Sequence, residues 1–292
     1  MTAGEPSTTP STTPSTTNRA LVLGGGGLSG IGWEIGLLLG LAERGVDLTA
    51  ADVVIGTSAG SVVGTRLRSG VALEDAYRRQ LAPPGDEIPA ALGLRSIRKL
   101  VGPKLLGGSD AAIGRRIGRA ALRARTVDPE VRRAVIEKRI GGGGWPEAPL
   151  MITAVDAVSG ERRVFDRNAG VGLVDAVAAS CAVPTVWPAI PIGGRMYIDG
   201  GSVSSTNADL AAGCAAVVAV APIAQAVRRR WGIRAELAAL GPGTRSIALT
   251  PDRAARATMG RHSLDPAWRA AAARAGYAGA AAVAEQVREV WG

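Results

Sequence analysis

The sequence predicts an α/β fold with a mostly parallel central sheet, and three stretches carry that prediction. Residues 20–23, Ala-Leu-Val-Leu, are a short apolar run followed by a glycine loop and a helical pattern, the first half of a βαβ unit. Residues 52–55, Asp-Val-Val-Ile, are short and β-branched, as a buried parallel strand should be, and a glycine-framed serine follows at once. Residues 215–221 and 246–250 read as two further buried strands and bring the sheet to about six or seven strands.

Taken in order, the first 18 residues repeat Ser-Thr-Thr-Pro without an apolar anchor and read as a disordered tail, which leaves 19–292 as the folded domain. After the first strand comes Gly24-Gly25-Gly26-Gly27-Leu28-Ser29-Gly30, then a helix over about 31–44. Its apolar residues Ile35, Leu38, Leu39 and Ala42 fall at helical spacing, and Gly45 suits its C-terminal stop. Gly56-Thr57-Ser58-Ala59-Gly60 fits the Gly-x-Ser-x-Gly nucleophile elbow. Such a sharp strand-to-helix turn forces the serine into a strained backbone conformation, and side chains at Gly56 and Gly60 would collide with the neighbouring helix and strand. Ser58 Oγ would then stand at the carboxyl end of the sheet, above a helix N-terminus that favours developing negative charge.

Between the elbow and residue 150 the chain is basic and mostly helical, with helices expected over 71–81, 88–106, 110–125 and 129–140, and 81–144 as a possible lid or interfacial region. In 88–106, Ile97, Leu100, Val101, Leu105 and Leu106 alternate with Arg95, Arg98, Lys99 and Lys104. That pattern suits either an interfacial lid or an ordinary solvated amphipathic helix. Met151-Ile152-Thr153-Ala154-Val155 is a strand, and Asp156 after it opens a hairpin turn into 161–165, a structural position. Met196-Tyr197-Ile198 is a short strand ending in Asp199-Gly200-Gly201, where the glycines permit close approach of another backbone. Trp187 is a core tryptophan or a candidate pocket wall, Arg228-Arg229-Arg230 a solvated charge run, and 266–290 a long Ala-rich helix.

Composition narrows the partners. A chain of 292 residues with 47% hydrophobic residues buries roughly 75% of its unfolded surface and can form a sizeable core. No apolar run approaches ~18 residues and the start lacks a signal-peptide pattern, so a cytoplasmic protein is expected. Cys181 and Cys214, both in apolar surroundings, suit reduced buried thiols better than a disulfide framework. The net charge of +9 comes almost wholly from arginine and favours anionic partners. With 3% aromatic residues and no recognisable module, nucleic acid is not expected, which leaves reversible contact with an anionic membrane surface.

The glycine loop admits three readings. Gly25-x-Gly27-x-x-Gly30 fits a dinucleotide fingerprint, but that fingerprint needs an acid at the end of the next strand. Ser58 stands there instead, and Asp47 precedes the strand. A plain tight turn is the second reading. The third is an oxyanion hole, in which side-chain-free residues at a helix N-terminus aim backbone N–H groups at an oxyanion beside Ser58. A serine nucleophile needs a base, and the only histidine, His262, sits in an Arg-flanked loop segment before the last helix, away from these motifs. Asp199 is the better candidate. No clustered His, Cys or carboxylate set has metal-ligand spacing, and neither a metal nor a cofactor is expected.

Together, the Gly-Gly-Gly-x-x-Gly after the first strand, Gly56-Thr57-Ser58-Ala59-Gly60 and Asp199-Gly200-Gly201 resemble, in order and spacing, the three blocks of the patatin-like phospholipase family. Ala179-Ser180-Cys181-Ala182-Val183-Pro184 is similar to the helix-to-loop element that the family carries there, and the likeness runs from about residue 19 to 221. The resemblance implies a three-layer α/β/α fold and a Ser-Asp dyad without histidine, hydrolysing acyl esters of lipids without metal. It makes Ser58 the nucleophile, Asp199 the base, and Gly25, Gly26 and Gly27 the oxyanion donors, with Gly24, Gly30, Gly56, Gly60, Gly200 and Gly201 as the supporting motif glycines. Ser29 stands where many members carry Arg or Lys, a departure that bears on head-group preference rather than on ester chemistry. A dinucleotide-binding oxidoreductase and a catalytically silent lipid-binding module are the alternatives.

Overall fold

The computed structural model describes residues 18–84, 94–224, 226–259 and 263–292, without the side chains of Leu94 and Arg95. Residues 1–17 of the expected tail, the start of the expected 88–106 helix, the Arg95 side chain and His262 therefore lie outside the described residues.

Eight strands among the described residues form one sheet: β1 (Arg19–Leu23), β2 (Val53–Thr57), β3 (Leu150–Asp156), β4 (Arg162–Phe165), β5 (Ile190–Ile192), β6 (Arg195–Asp199), β7 (Ala216–Val220) and β8 (Arg245–Leu249). Their order is β5-β6-β3-β2-β1-β7-β8, with β4 on the other side of β3. Strands β3, β2, β1, β7 and β8 run parallel, β4 and β6 pair antiparallel with β3, and β5 pairs antiparallel with β6. The extra strand beyond the expected count is β5, a three-residue edge strand with Pro191 at its centre; its length and its proline hide it from a strand pattern.

The helices are α1 (Gly27–Ala42), α2 (Ala59–Arg68), α3 (Leu73–Leu81), α4 (Leu94–Leu105), α5 (Asp110–Leu122), α6 (Pro129–Ile140), α7 (Leu173–Ser180), α8 (Ile233–Ala238), α9 (Arg253–Met259), α10 (Arg269–Gly279) and α11 (Ala284–Trp291). Period-two alternation in β1 divides them into two layers. Leu21 and Leu23 join a core with residues of α1, α2, α7 and α11, while Ala20 and Val22 face Ile233 and Leu237 of α8. A third apolar cluster joins Ile113 and Ile117 of α5 to Val155 and Ile198. The result is a three-layer α/β/α arrangement, and no helix among the described residues is long and apolar enough to cross a membrane.

Helix α1 starts at Gly27, directly after the loop, and is buried over most of its length because α10 covers the side turned away from the sheet. The two backbones touch: a Cβ on Gly36 would lie 2.0 Å from the Ala273 carbonyl oxygen, and one on Gly276 2.1 Å from that of Trp33. That packing also corrects the expected 266–290 helix. A 3-10 turn at Pro266–Trp268 leads into α10, which ends at Gly279. After a second short turn, α11 is redirected so that Val287 and Trp291 enter the core. The basic block is likewise less separate than its charge suggests. A Cβ on Gly118 of α5 would lie 2.0 Å from the Ala157 carbonyl oxygen, and α6, capped by Asp128, buries Ile136 and Ile140.

Candidate active site

Register on β3 brings two distant residues together. On one flank, β3 pairs with β4 over Ile152–Val155. On the other flank it pairs first with β2, ending at Thr57 opposite Thr153, and then with β6 running the opposite way, ending at Asp199 opposite Ala154. The ends of β2 and β6 therefore meet head to head, with Ser58 after one and Asp199 closing the other. The chain leaves β6 over the end of β3, where a Cβ on Gly200 would lie 2.4 Å from Thr153 Oγ1; only glycine fits.

Ser58 has φ 53° and ψ −113°, a left-handed conformation strained for a side-chain-bearing residue. Its surroundings hold it there. The Ser58 N–H donates to Ser180 Oγ at 2.9 Å, and its carbonyl accepts Ser61 Oγ at 2.7 Å and the Cys181 thiol at 3.3 Å. A Cβ on Gly60 would lie 2.0 Å from the Leu23 carbonyl oxygen and one on Gly56 2.6 Å from Ser61 Cα, so both elbow glycines are sterically required. The Gly60 N–H donates to the Gly24 carbonyl at 3.0 Å and ties the elbow to the glycine loop, which follows from Leu23 pairing with Gly56.

The glycine loop departs from expectation at one residue. The Gly25 N–H donates to the Ser205 carbonyl at 2.7 Å and is engaged within the protein. The N–H groups of Gly26, Gly27 and Ala59 have no acceptor among the described residues. Ala59, which directly follows the elbow serine, is not among the residues expected from the motifs. Ser29 is wholly buried, with its N–H on the Ser263 carbonyl at 3.1 Å.

Asp199 is buried, and its Oδ1 accepts the Gly201 N–H at 2.7 Å. Burial pushes the carboxyl up to about 6, opposed by a hydrogen bond from the Ser58 side chain, by Gly201, and by the charges of Lys104 and Arg132. Asp156, by contrast, caps its hairpin turn by accepting from Val158 and Ser159 and pairs with Arg195 at 2.9 Å; that structural role matches its sequence reading. Cys181 and Cys214 are free buried thiols.

Ser58, Asp199 and Gly25–Gly27 line one cavity of about 270 Å³. Its walls include Leu100, Val203, Ile223, Val227, Trp231 and Leu264, all apolar, with Lys104 among them. Trp187 is not one of these walls. It borders a recess of about 20 Å³ on the Ala59 side and stacks under Arg132 at 4.1 Å; Trp231 is the aromatic of the main cavity. Lys104 also departs from its expected place, since it faces the cavity rather than a surface. Ser263 and Leu264, the chain neighbours of His262, line the cavity as well.

Beneath the site, Asn207, itself left-handed at φ 53°, donates from Nδ2 to Thr57 Oγ1 at 3.0 Å, Thr153 Oγ1 at 3.2 Å and the Ser204 carbonyl at 2.9 Å. It locks the ends of β2 and β3, and no local pattern announces it. Asp47, the acid a dinucleotide site would need, instead accepts from Thr49 N–H and Oγ1 before β2 begins. No group of three or more His, Cys, Asp or Glu that could hold a metal occurs among the described residues.

The profile of the patatin-like phospholipase family matches residues 21–212. Among solved structures, the chain is similar to VipD from Legionella pneumophila at 13% identity and a TM-score of 0.47, covering 92% of this chain and 67% of that one. It is also similar to the type III effector protein ExoU at 16% identity and a TM-score of 0.42, covering 94% of this chain and 54% of that one. No curated protein matches the sequence.

Proposed function

Because this chain belongs to the patatin-like phospholipase family, we propose that it is a serine acyl hydrolase of lipid esters that works through Ser58 and Asp199. The observation that carries this reading is the head-to-head meeting of β2 and β6 on β3, which sets a strained serine beside a buried carboxylate in one apolar cavity. Ser58 Oγ attacks the acyl carbonyl as Asp199 accepts its proton, and Asp199 returns the proton to the departing alcohol. Water then repeats the sequence and releases the acid. A carboxylate in its ordinary range is a weak base toward a hydroxyl; a buried one near 6 is a better one.

The negative charge that develops on the carbonyl oxygen needs donors, and the amides of Gly26, Gly27 and Ala59, which have no acceptor among the described residues, supply them. Each such donor lowers the barrier by about 3 kcal/mol. The apolar walls suit an acyl chain. Ile97, Leu105, Leu106, Ile223 and Val227 are exposed, as are Arg98 and Lys99 of α4, so α4 together with Ile223 and Val227 forms the surface that touches an anionic bilayer. A fluorophosphonate probe tests the core of the reading: it labels the wild type and fails to label Ser58→Ala. Labelling that survives in Ser58→Ala overturns it.

A further inference from the structure

We propose that Lys104 is a positioning residue of this reaction, the counter-ion that holds the Asp199 carboxylate in its proton-accepting form; the inference rests on the Ser58–Asp199 reading above. Leu100 and Lys104 stand four residues apart on α4, on one face, and both line the cavity that contains Ser58 and Asp199. The neighbouring basic residues Arg98 and Lys99 are exposed instead.

The geometry links the two charges through a single residue. Lys104 Nζ donates to the Gly201 carbonyl at 3.3 Å, and the Gly201 N–H donates to Asp199 Oδ1 at 2.7 Å. The ammonium and the carboxylate thus hold opposite ends of Gly201. The face of Trp231 lies beneath the ammonium, 5.4 Å to the ring centroid, and fixes it from the other side. Burial lowers the pKa of Lys104 and the Asp199 charge raises it, so each group supports the charged form of the other in a cavity with little polar lining.

The groups that act on Asp199 come from four elements: Lys104 on α4, Arg132 on α6, the Ser58 hydroxyl at the elbow and the Gly201 amide. The Cys181 thiol at the end of α7 is held protonated by burial and adds no charge. Of the two cations, Lys104 acts on the carboxylate more strongly, while Arg132 stacks on Trp187 in the smaller recess. Without the Lys104 ammonium, burial would act on Asp199 against a weaker opposition and its proton would be retained to higher pH.

The test is the pH profile of kcat/KM on a neutral p-nitrophenyl ester, a substrate with no charge for Lys104 to grip. In the wild type the acidic limb reports Asp199, near 6. Lys104→Met should move that limb up by about one pH unit, so that activity at about pH 5 falls roughly tenfold while the plateau above about pH 8 is retained. Lys104→Arg should keep the wild-type limb, and Lys104→Gln, which preserves a polar tip if methionine is poorly tolerated, should move it as methionine does. An unmoved limb in Lys104→Met and Lys104→Gln, or an equal movement in Lys104→Arg, overturns the proposal and leaves the dyad standing. So does a rise in KM alone. Full activity in Asp199→Asn overturns both.

Discussion

The floor of the cavity consists of three strand ends, after Leu23, Thr57 and Asp199, whereas its walls include Leu100 and Lys104 of α4, Val203, Ile223, Val227 and Trp231, and Ser263 and Leu264. The floor is rigid for local reasons. Glycines without room for a Cβ, a left-handed serine and hydrogen bonds between adjacent loops determine each atom several times over, as strained functional backbone requires. The walls are largely apolar, and Ile223 and Val227 among them are exposed to solvent. The proposed dyad therefore sits on the part of the cavity fixed by backbone packing, and Lys104 reaches it from the wall.

The largest expected difference between the two regions is in turnover. Ser58→Ala and Asp199→Asn should each lower hydrolysis of a p-nitrophenyl ester by on the order of ten-thousand-fold, the usual cost of deleting a member of a catalytic unit. His262→Ala, beside the wall residue Ser263, should retain most activity. Equal losses in Asp199→Asn and His262→Ala would erase the distinction between floor and wall.

Next is the elbow itself. Gly60→Ala drives a Cβ to 2.0 Å from the Leu23 carbonyl oxygen, and overpacking against backbone should cost about 3 kcal/mol or more. Denaturant unfolding of this variant against Ile223→Ala, which should be near neutral, reads the contrast in rigidity. A Gly60→Ala protein of wild-type stability would show that the floor can yield.

A smaller effect concerns the stability that the floor gives up to function. Asp199 has a folded pKa near 6, above its ordinary value of 3.8. A carboxyl raised in the fold favours folding below its ordinary range, and that contribution is lost as pH rises through about 6. Asp199→Asn should therefore be more stable than the wild type at about pH 8, by about 1–3 kcal/mol, and equal to it near pH 4. Thermal melts at the two pH values provide the check, and a variant less stable at both would contradict the sign.

The smallest effect belongs to the rim. Replacing Arg98 and Lys99 by alanine should reduce cosedimentation with anionic vesicles by about tenfold or more and leave hydrolysis of a soluble ester unchanged, since each basic side chain near such a surface contributes about 1 kcal/mol. High salt should remove most of the difference. Binding that is indifferent to lipid charge would sharpen the contrast the other way, by giving the rim no role in docking.

What the sequence determined by itself is the part encoded in short range. The strand, glycine loop and helix from Arg19 onward, the Gly-x-Ser-x-Gly turn and the Asp-Gly-Gly turn are each set by steric rules that act within a few residues: φ above zero, no room for a Cβ, a strand too short to be a helix. Even there the hydrogen-bond partner of Gly25 was invisible, because Ser205 is 180 positions along the chain. Only the tertiary structure decided that Lys104 faces Asp199 rather than a membrane, that Trp231 and not Trp187 borders the main cavity, and that Asn207 joins the ends of β2 and β3. An amphipathic pattern states that one face of α4 is buried but not against what, and a tryptophan is apolar in any wall. Those choices depend on which distant segments the sheet brings into contact, and register on β3 is a property of the whole sheet.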